Sequence, residues 1–167
     1  MVLSFISLTI FSQRKEIRVN KDAGNKYRNT KAKESILEGK DKEAVKALLQ
    51  EYKLAIENLD LSSPERLFAT DSQIFESGGS EGTYLYYKKH HMIPEFKDFT
   101  TFKFSKYKVD VQIAGNYAFA SETYNYIIVL AKDNTEARRK GVATSVLKKE
   151  NGQWRIWISQ NSSRRGS

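Results

Sequence analysis

The sequence predicts an α+β domain in which a cone-shaped, bent antiparallel sheet packs on a long N-terminal helix with two shorter helices. Apolar residues follow the helical period between residues 41 and 59, and the period changes to two beyond residue 100. Gly and Asn turns then separate segments of strand-like composition. A strongly bent sheet that closes over a long helix would leave a cone-shaped pocket between them.

Start signals predict the first two helices. Asp41 can cap a helix that runs to about Leu59, with Lys, Glu and Gln on the face opposite its apolar residues. Ser63 precedes Pro64, whose missing N–H costs nothing in a first helical turn, so a short second helix is expected before residue 70. Both helices precede the main strands in the chain.

The segment from residue 71 to residue 96 contains both histidines of the chain and a Gly-Gly break. Residues 71–76 are expected to form a short strand that ends at this break. Thr83 can cap a third helix, and Pro94 disfavours helical geometry at the residue before it. This helix is therefore predicted to end near Ile93.

The remaining residues predict four long strands joined by hairpins. The apolar parity changes between Phe104 and Tyr107, and a bulge around Ser105 would reconcile the two halves of that strand. Asn151-Gly152 is the strongest hairpin turn signal in the chain. The predicted strands cover residues 102–113, 117–130, 136–149 and 153–163.

Residues 1–13 are predicted to be a cleaved signal segment. Residues 2–11 are uncharged and mainly apolar, with the length of a secretory hydrophobic region, and they are too short to span a bilayer. The protein is therefore expected to be secreted or periplasmic, with no integral membrane segment in the mature chain. The alternative is a buried N-terminal strand, because Leu3, Phe5 and Ser7 alternate loosely with other residues.

Residues 14–34 are predicted to be a basic flexible linker that precedes the domain at residues 35–167. Between residues 14 and 33, eight Lys or Arg against two acidic residues account for +6 of the formal charge of +8. The rest of the chain is nearly balanced, so no nucleic-acid partner is predicted. The absence of cysteine excludes disulfides, thiol catalysis and cysteine metal sites.

The order of these elements, joined to particular segments, resembles the nuclear transport factor two-like superfamily and, within it, the SnoaL-like group of small bacterial proteins. The resemblance covers residues 42–164 and rests on AVKALLQEYKLAIENLD, LFATDSQIFESGG, YYKKHHMIPEF, YAFASETYNY and NGQWRIWISQNSSR. It implies a pocket between the long helix and the concave sheet, and often a homodimer formed through the sheet. It does not imply one activity, because this fold hosts isomerases, dehydratases, cyclases, epoxide hydrolases, transport adaptors and oligomerisation domains.

Three residues are candidates for acid/base chemistry: Asp71, Glu76 and His91. Asp71 and Glu76 flank an apolar strand, so one carboxylate could enter a cavity where desolvation raises its pKa and makes it a general base. His91 could then act as the acid or as an orienting group. The competing interpretation puts Asp71 in a turn, Glu76 in solvent and His91 in packing or at the surface. No metal or cofactor is predicted, because no metal-ligand spacing or dinucleotide fingerprint is present.

Five residues are candidates for ligand binding: Tyr87, His91, Glu95, Trp154 and Gln160. Aromatic walls would suit a flat or apolar molecule. If Trp154 and Ile158 face inward, strand alternation puts Gln160 on the same face as a hydrogen-bonding group. The family resemblance leads one to expect histidines in this last strand, where Ile158 and Gln160 stand, and this difference weakens the case for an enzyme.

Three functions stay open. The leading hypothesis is an exported domain that binds a small apolar or aromatic molecule in its cone pocket. The second is an isomerase, dehydratase or hydrolase that uses a pocket carboxylate and a histidine. The third is a dimeric protein-interaction module whose basic arm contacts a partner or an envelope surface.

Overall fold

The computed structural model describes residues 21–166, with side chains described at residue 26 and from residue 28 to residue 166. The predicted signal segment at 1–13 lies outside the described residues. The chain divides after Ser35, and the unit that contains the sheet is Ile36–Ser167. No helix in the described range is long and apolar enough to cross a membrane.

The long helix α1 extends over Lys21–Glu57, so it begins well before Asp41. The predicted start at Asp41 was wrong, because helix-favouring Lys, Glu and Ala residues precede Gly39, and a single internal glycine costs only about 1 kcal/mol. Residues 21–34 of the predicted linker belong to this helix. Asp41 does not cap it but accepts hydrogen bonds at Oδ1 from Lys149 Nζ (2.5 Å) and Trp154 Nε1 (3.0 Å).

Six strands form one sheet in the described part of the chain, in the order β2-β1-β6-β5-β4-β3. They are β1 (Phe68–Glu76), β2 (Gly79–Gly82), β3 (Phe99–Ala114), β4 (Tyr117–Leu130), β5 (Glu136–Glu150) and β6 (Gln153–Arg165). The α+β fold class is confirmed. The sheet is mixed instead of purely antiparallel, because β1 runs parallel to β6. Most of the domain lies between these two strands in the sequence. No hairpin turn therefore connects them, and they need not be antiparallel.

Short helical turns connect β1 and β2 to the rest of the domain. A 3₁₀ turn covers Ser63–Leu67, and the later segment consists of α2 (Tyr84–Tyr87), a π turn (Lys88–Met92) and α3 (Ile93–Phe96). The Thr83 side chain caps α2 by accepting a hydrogen bond from the backbone N–H of Tyr86 at 3.3 Å. The helical segment continues beyond Ile93, because Pro94 lies in the first turn of α3, where its missing N–H needs no acceptor.

Two irregularities decide which residues of β3 and β6 face α1. The predicted bulge in β3 is confirmed by a register shift between Ser105 and Lys108, with Lys106 at a φ of 52°. A second shift was not predicted: Ile156 pairs with Leu147 and Ile158 pairs with Val146, which leaves Trp157 as an extra residue in β6. The alternation of β6 therefore reverses at this point.

The core forms between α1 and one face of the sheet, called the inner face below. Val45, Leu49 and Ile56 of α1 follow the helical period and are buried there. Val111, Ala120 and Leu147 are among the buried sheet residues of the same cluster. The residues between them along each strand point to the other face, called the outer face.

Candidate functional site

A small cavity of about 50 Å³ lies between α1 and the inner face. Ligand pockets for drug-sized molecules usually measure about 300–1,000 Å³, and one water needs about 10–15 Å³, so this cavity has room for a few waters. Its lining residues are Leu49, Tyr52, Lys53, Ile56, Phe104, Tyr107, Glu122, Tyr124, Ala143, Ser145, Ile156 and Ser159. Four of these lining residues are aromatic.

A carboxyl–phenol pair forms the polar centre of this cavity. The Tyr107 hydroxyl donates a hydrogen bond to Glu122 Oε2 at 2.5 Å. Burial raises the pKa of Glu122, and the bond from Tyr107 opposes this rise without cancelling it. Burial and the neighbouring Glu122 raise the pKa of Tyr107, so the phenol keeps its proton at neutral pH.

Sequence reasoning missed Glu122, although a signal for it was present. The residue shares its parity along β4 with Ala118, Ala120 and Tyr124, and Ala118 and Ala120 are fully or almost fully buried. Strand alternation therefore puts its side chain on the inner face. A glutamate within a strand normally indicates the solvent face, which is why it was not among the candidates.

A second carboxyl–phenol pair joins two of the predicted residues. The buried Tyr87 donates a hydrogen bond from its hydroxyl to Glu76 Oε2 at 2.6 Å. Burial raises the pKa of Tyr87 strongly, and both Tyr52 and Glu76 add to the rise. Glu76 is the last residue of β1, and Tyr87 is the last residue of α2.

His91 and Glu95 lie beside this second pair. The ring of His91 stacks on Tyr87 with a centroid distance of 5.5 Å, and its Nε2 lies 2.7 Å from Glu81 Oε2. Partial burial raises the pKa of Glu95, Glu76 adds to the rise, and His91 opposes it. Glu76 and His91 therefore each contact Tyr87, and Glu95 lies close enough to interact electrostatically with Glu76 and His91.

Three other candidate residues, Asp71, Trp154 and Gln160, lie outside this group. Asp71 is outside the interior: its side chain is 61% exposed and its carboxylate pairs with Lys148 Nζ at 2.7 Å. The bond from Lys148 lowers the pKa of Asp71, which is the reverse of the raised pKa expected for a buried base. The Asp71 prediction is corrected because its strand turns this side chain towards β5 and solvent.

Trp154 and Gln160 also differ from the expectation that both would line a pocket. Trp154 is 7% exposed and belongs to the core, but it is absent from the lining of the cavity. Gln160 is exposed on the outer face, because the extra residue Trp157 reverses the alternation. Ser159 takes the inward position and receives a hydrogen bond from Ser145 Oγ at 3.3 Å.

No group of three or more His, Asp and Glu side chains that could hold a metal ion occurs within residues 21–166. The two carboxyl–phenol pairs can instead exchange protons or hydrogen-bond an oxygen atom of a bound molecule. Such chemistry needs only the side chains described above.

Solved structures define the class of fold. The protein is similar to a nuclear transport factor 2-like superfamily protein from Salmonella enterica, with 17% identity over 80% of this chain and 94% of that chain and a TM-score of 0.65. It is similar to a ketosteroid isomerase-like protein from Erwinia carotovora, with 13% identity over 75% and 98% of the two chains and a TM-score of 0.65. It is also similar to hexachlorocyclohexane dehydrochlorinase LinA-type3 from Novosphingobium barchaimii, with 12% identity over 76% and 87% and a TM-score of 0.59. At these identities the likeness shows the nuclear transport factor 2-like fold.

The family follows from the sequence match. The family model for the SnoaL-like domain matches residues 45–164, which is most of the chain. The protein therefore belongs to the SnoaL-like domain family. No curated protein matches the sequence.

Proposed function

We propose that this domain binds a small aromatic or apolar molecule in a cone pocket, with the Glu122–Tyr107 pair as its polar contact. The observation that carries the proposal is a hydrogen-bonded carboxyl–phenol pair that faces a cavity with aromatic walls. Aromatic rings favour a flat apolar body, and the pair favours a molecule with one oxygen atom. The candidates Tyr87, His91 and Glu95 would line the neighbouring region beside Glu76.

Binding requires rearrangement of the inward-facing rings, because a cavity of about 50 Å³ is too small for a bicyclic molecule. We expect this rearrangement to have the lowest free-energy cost at the bulge of β3. Tyr107 lies within the register shift between Ser105 and Lys108, where the β3–β4 pairing is interrupted. Moving Tyr107 would enlarge the cavity without breaking the regular part of the sheet.

The binding test uses 2-naphthol and naphthalene as a matched pair of probes, monitored by amide chemical shifts and by probe fluorescence. We expect both probes to bind. Tyr107→Phe should weaken the binding of 2-naphthol by about fivefold to tenfold, which corresponds to about 1 kcal/mol for one hydrogen bond. Naphthalene should be unaffected by this change. Tyr117→Phe is the control, because Tyr117 is 46% exposed on the outer face.

Shifts confined to the outer face, or equal weakening of both probes by Tyr107→Phe, would rule out the proposed polar contact. Absence of binding by either probe at its solubility limit would count against the pocket. Glu122→Gln keeps the size of the side chain and gives a second variant in case Tyr107→Phe disturbs the bulge.

A second proposal is acid/base catalysis at Glu76, with Tyr87 and His91 as hydrogen-bonding groups. It is favoured by the convergence of two carboxyl groups, a phenol and an imidazole, with the pKa of Glu95 raised by burial and by Glu76. Glu76 would take a proton from a carbon next to a carbonyl, and the enolate formed would regain a proton from the same group.

This proposal can be tested without knowledge of the natural substrate. In D₂O, 2-indanone should exchange its acidic C–H protons faster in the presence of the protein, as measured by NMR. Glu76→Gln should remove the acceleration, and the exposed Asp71→Asn should keep it. Acceleration that survives Glu76→Gln would refute the role of Glu76.

We also propose export and homodimer formation. Export through the segment at residues 1–13 predicts a mature N-terminus beyond that segment, and an intact Met1 in the mature protein would refute it. Dimer formation through the outer face is supported by Tyr117, Phe119 and Val142, which are 46–49% exposed there. Phe119→Glu should shift sedimentation from dimer to monomer, whereas Leu85→Glu, 55% exposed off the sheet, should not.

A further inference from the structure

We propose that a basic groove on β3–β6 binds a small molecule that carries two or more phosphate groups. The groove has a volume of about 620 Å³ and is formed by residues 105, 106, 108, 123–127, 138–140 and 164–166. It shares Tyr124 with the lining of the interior cavity and no other residue. This site is additional to the aromatic pocket proposed above.

Seven of the residues that line the groove are Lys or Arg, and none is Asp or Glu. Residues 138–140 of β5 supply three of these cations and lie beside Arg164 and Arg165 of β6. Lys106 lies in the bulge of β3, Lys108 follows it, and these two residues supply the other two cations. Cations from three strands thus border the groove, with Lys140 and Arg164 on the outer face and with Arg139 and Arg165, one residue along each strand, on the inner face.

The strand register places like charges opposite each other. Arg139 pairs with Arg165, and Lys140 pairs with Arg164, across the β5–β6 ladder. Like charges in directly opposite positions destabilise an antiparallel pair. Arg138 has an ion pair with Glu136, and no salt bridge joins the other six cations to a carboxylate of the described residues. A polyanion bound at the outer face would remove the repulsion between Lys140 and Arg164 and supply the counter-charge that they lack.

The groove also changes the interpretation of the net charge. The sequence attributes +6 of the formal charge of +8 to residues 14–33 and leaves the remainder nearly balanced. The fold nevertheless gathers seven cations around one groove whose lining contains no acidic residue. A concave surface of one sign raises the local concentration of the opposite ion.

The chemistry of the groove favours phosphate groups on a small molecule. Arginine forms paired hydrogen bonds with phosphate oxygens, and the Ser105, Thr123 and Asn125 side chains are of the types that add further ones. A volume of about 620 Å³ lies in the range of small-molecule sites. The groove therefore has the size and the donors for several phosphates.

Single-stranded nucleic acid fits less well, because it normally stacks its bases on free aromatic faces. The tyrosine rings at this end of β4 are not free to stack on bases, because they pack against phenylalanine side chains of the inner face. Tyr124 packs edge-on against Phe104, and Tyr126 stacks on Phe102, each with a centroid distance of 5.0 Å.

The test is a titration of the full chain with sodium tripolyphosphate at about 0.15 M ionic strength, where weak long-range attraction is screened. We expect saturable binding of one molecule, with amide shifts at residues 105–108, 123–127 and 138–140. Inorganic phosphate should bind about tenfold more weakly or worse, because it makes fewer charged contacts. Tripolyphosphate should also raise the melting temperature.

The variant Lys140→Gln/Arg164→Gln removes one opposed pair of cations. It should lower the affinity for tripolyphosphate about tenfold or more, and it should not lower the melting temperature of the free protein. Lys97→Gln/Lys132→Gln is the matched control, because it removes the same net charge at exposed residues outside the groove. This control should bind as the unmodified chain does.

If both variants lowered the affinity for tripolyphosphate equally, only the net charge would attract the anion, and the proposed site would be wrong. Binding that does not saturate would overturn it as well. Two other arms use a thymidine oligonucleotide and vesicles that contain anionic phospholipid. If either binds through Lys140 and Arg164 while tripolyphosphate does not, the small-molecule assignment is wrong.

Discussion

Glu122 and Glu57 are two interior glutamates whose effects on stability should have opposite dependence on pH. Burial raises the pKa of Glu122 above its ordinary value near 4.5. Glu57 is also partly buried, but hydrogen bonds from Lys53 Nζ (2.7 Å) and the Phe104 backbone N–H (2.8 Å) outweigh this and lower its pKa. The two replacements Glu122→Gln and Glu57→Gln therefore form a matched pair.

The sign for Glu122 follows from proton binding. Between the unfolded and the folded pKa, the folded protein binds more protons than the unfolded chain, so the free energy of unfolding decreases as pH rises. Each unit by which the folded pKa exceeds the unfolded one removes about 1.4 kcal/mol once the pH is above both. Glutamine cannot ionise, and its carbonyl can still accept the bond from Tyr107. We therefore expect Glu122→Gln to be stabilising at pH 8 and nearly neutral at pH 4.

The sign for Glu57 is the reverse, because its folded pKa is depressed. Its carboxylate contributes stability above the unfolded pKa, and this contribution is lost as pH falls through the folded pKa. Glu57→Gln should therefore destabilise at pH 8, and the loss should shrink on acidification.

The assay is urea unfolding of the unmodified protein, Glu122→Gln and Glu57→Gln at several pH values between 4 and 8. For each variant, the difference in the free energy of unfolding from the unmodified protein is plotted against pH. The two differences should diverge with opposite slopes. Glu122→Gln would refute the reasoning if it destabilised the protein by more than about 1 kcal/mol at pH 8, since the bond from Tyr107 would then outweigh the cost of the buried charge.

Three further changes have defined expectations. Trp154→Ala should lower the free energy of unfolding by about 3–5 kcal/mol in urea, because it empties a buried aromatic position; a stable variant would contradict the core assignment. Gly141→Ala should cost about 1–3 kcal/mol, because the added Cβ would lie 2.2 Å from the Tyr124 ring, and an unchanged melting temperature would show that the ring moves freely. Tyr87→Phe should cost about 1–3 kcal/mol by leaving Glu76 without its hydrogen bond, and no change in stability would show that water replaces the phenol.

Much of the fold could be predicted because it depends on local patterns. The β3 bulge follows from a parity change within twelve residues, and the cap at Thr83 from one side chain and the backbone next to it. The candidates Glu76, Tyr87, His91 and Glu95 could be singled out because they are close in sequence. Position along a short segment limits how far apart such groups can lie.

Glu122 and Gln160 show why the rest of the site could not be predicted. One extra residue at Trp157 reverses which side chains of β6 face α1, and nothing in the local alternation indicates it. The environment of Glu122 depends on Tyr107 from a neighbouring strand and on the helix above the sheet. A sequence pattern specifies a face, but not what covers that face.

The sequence by itself determined that a long helix and shorter helices are present, though not where each begins and ends, and it determined the long strands, the hairpin turns and the SnoaL-like character of the chain, because these depend on periodicity and on short contiguous segments. Only the tertiary structure decided that β1 is parallel to β6, that Glu122 is buried beside Tyr107, and that seven cations share one groove. The physical reason is that burial and electrostatic potential arise from residues far apart in the chain. Those distances are set when the strands pair and α1 covers one face of the sheet.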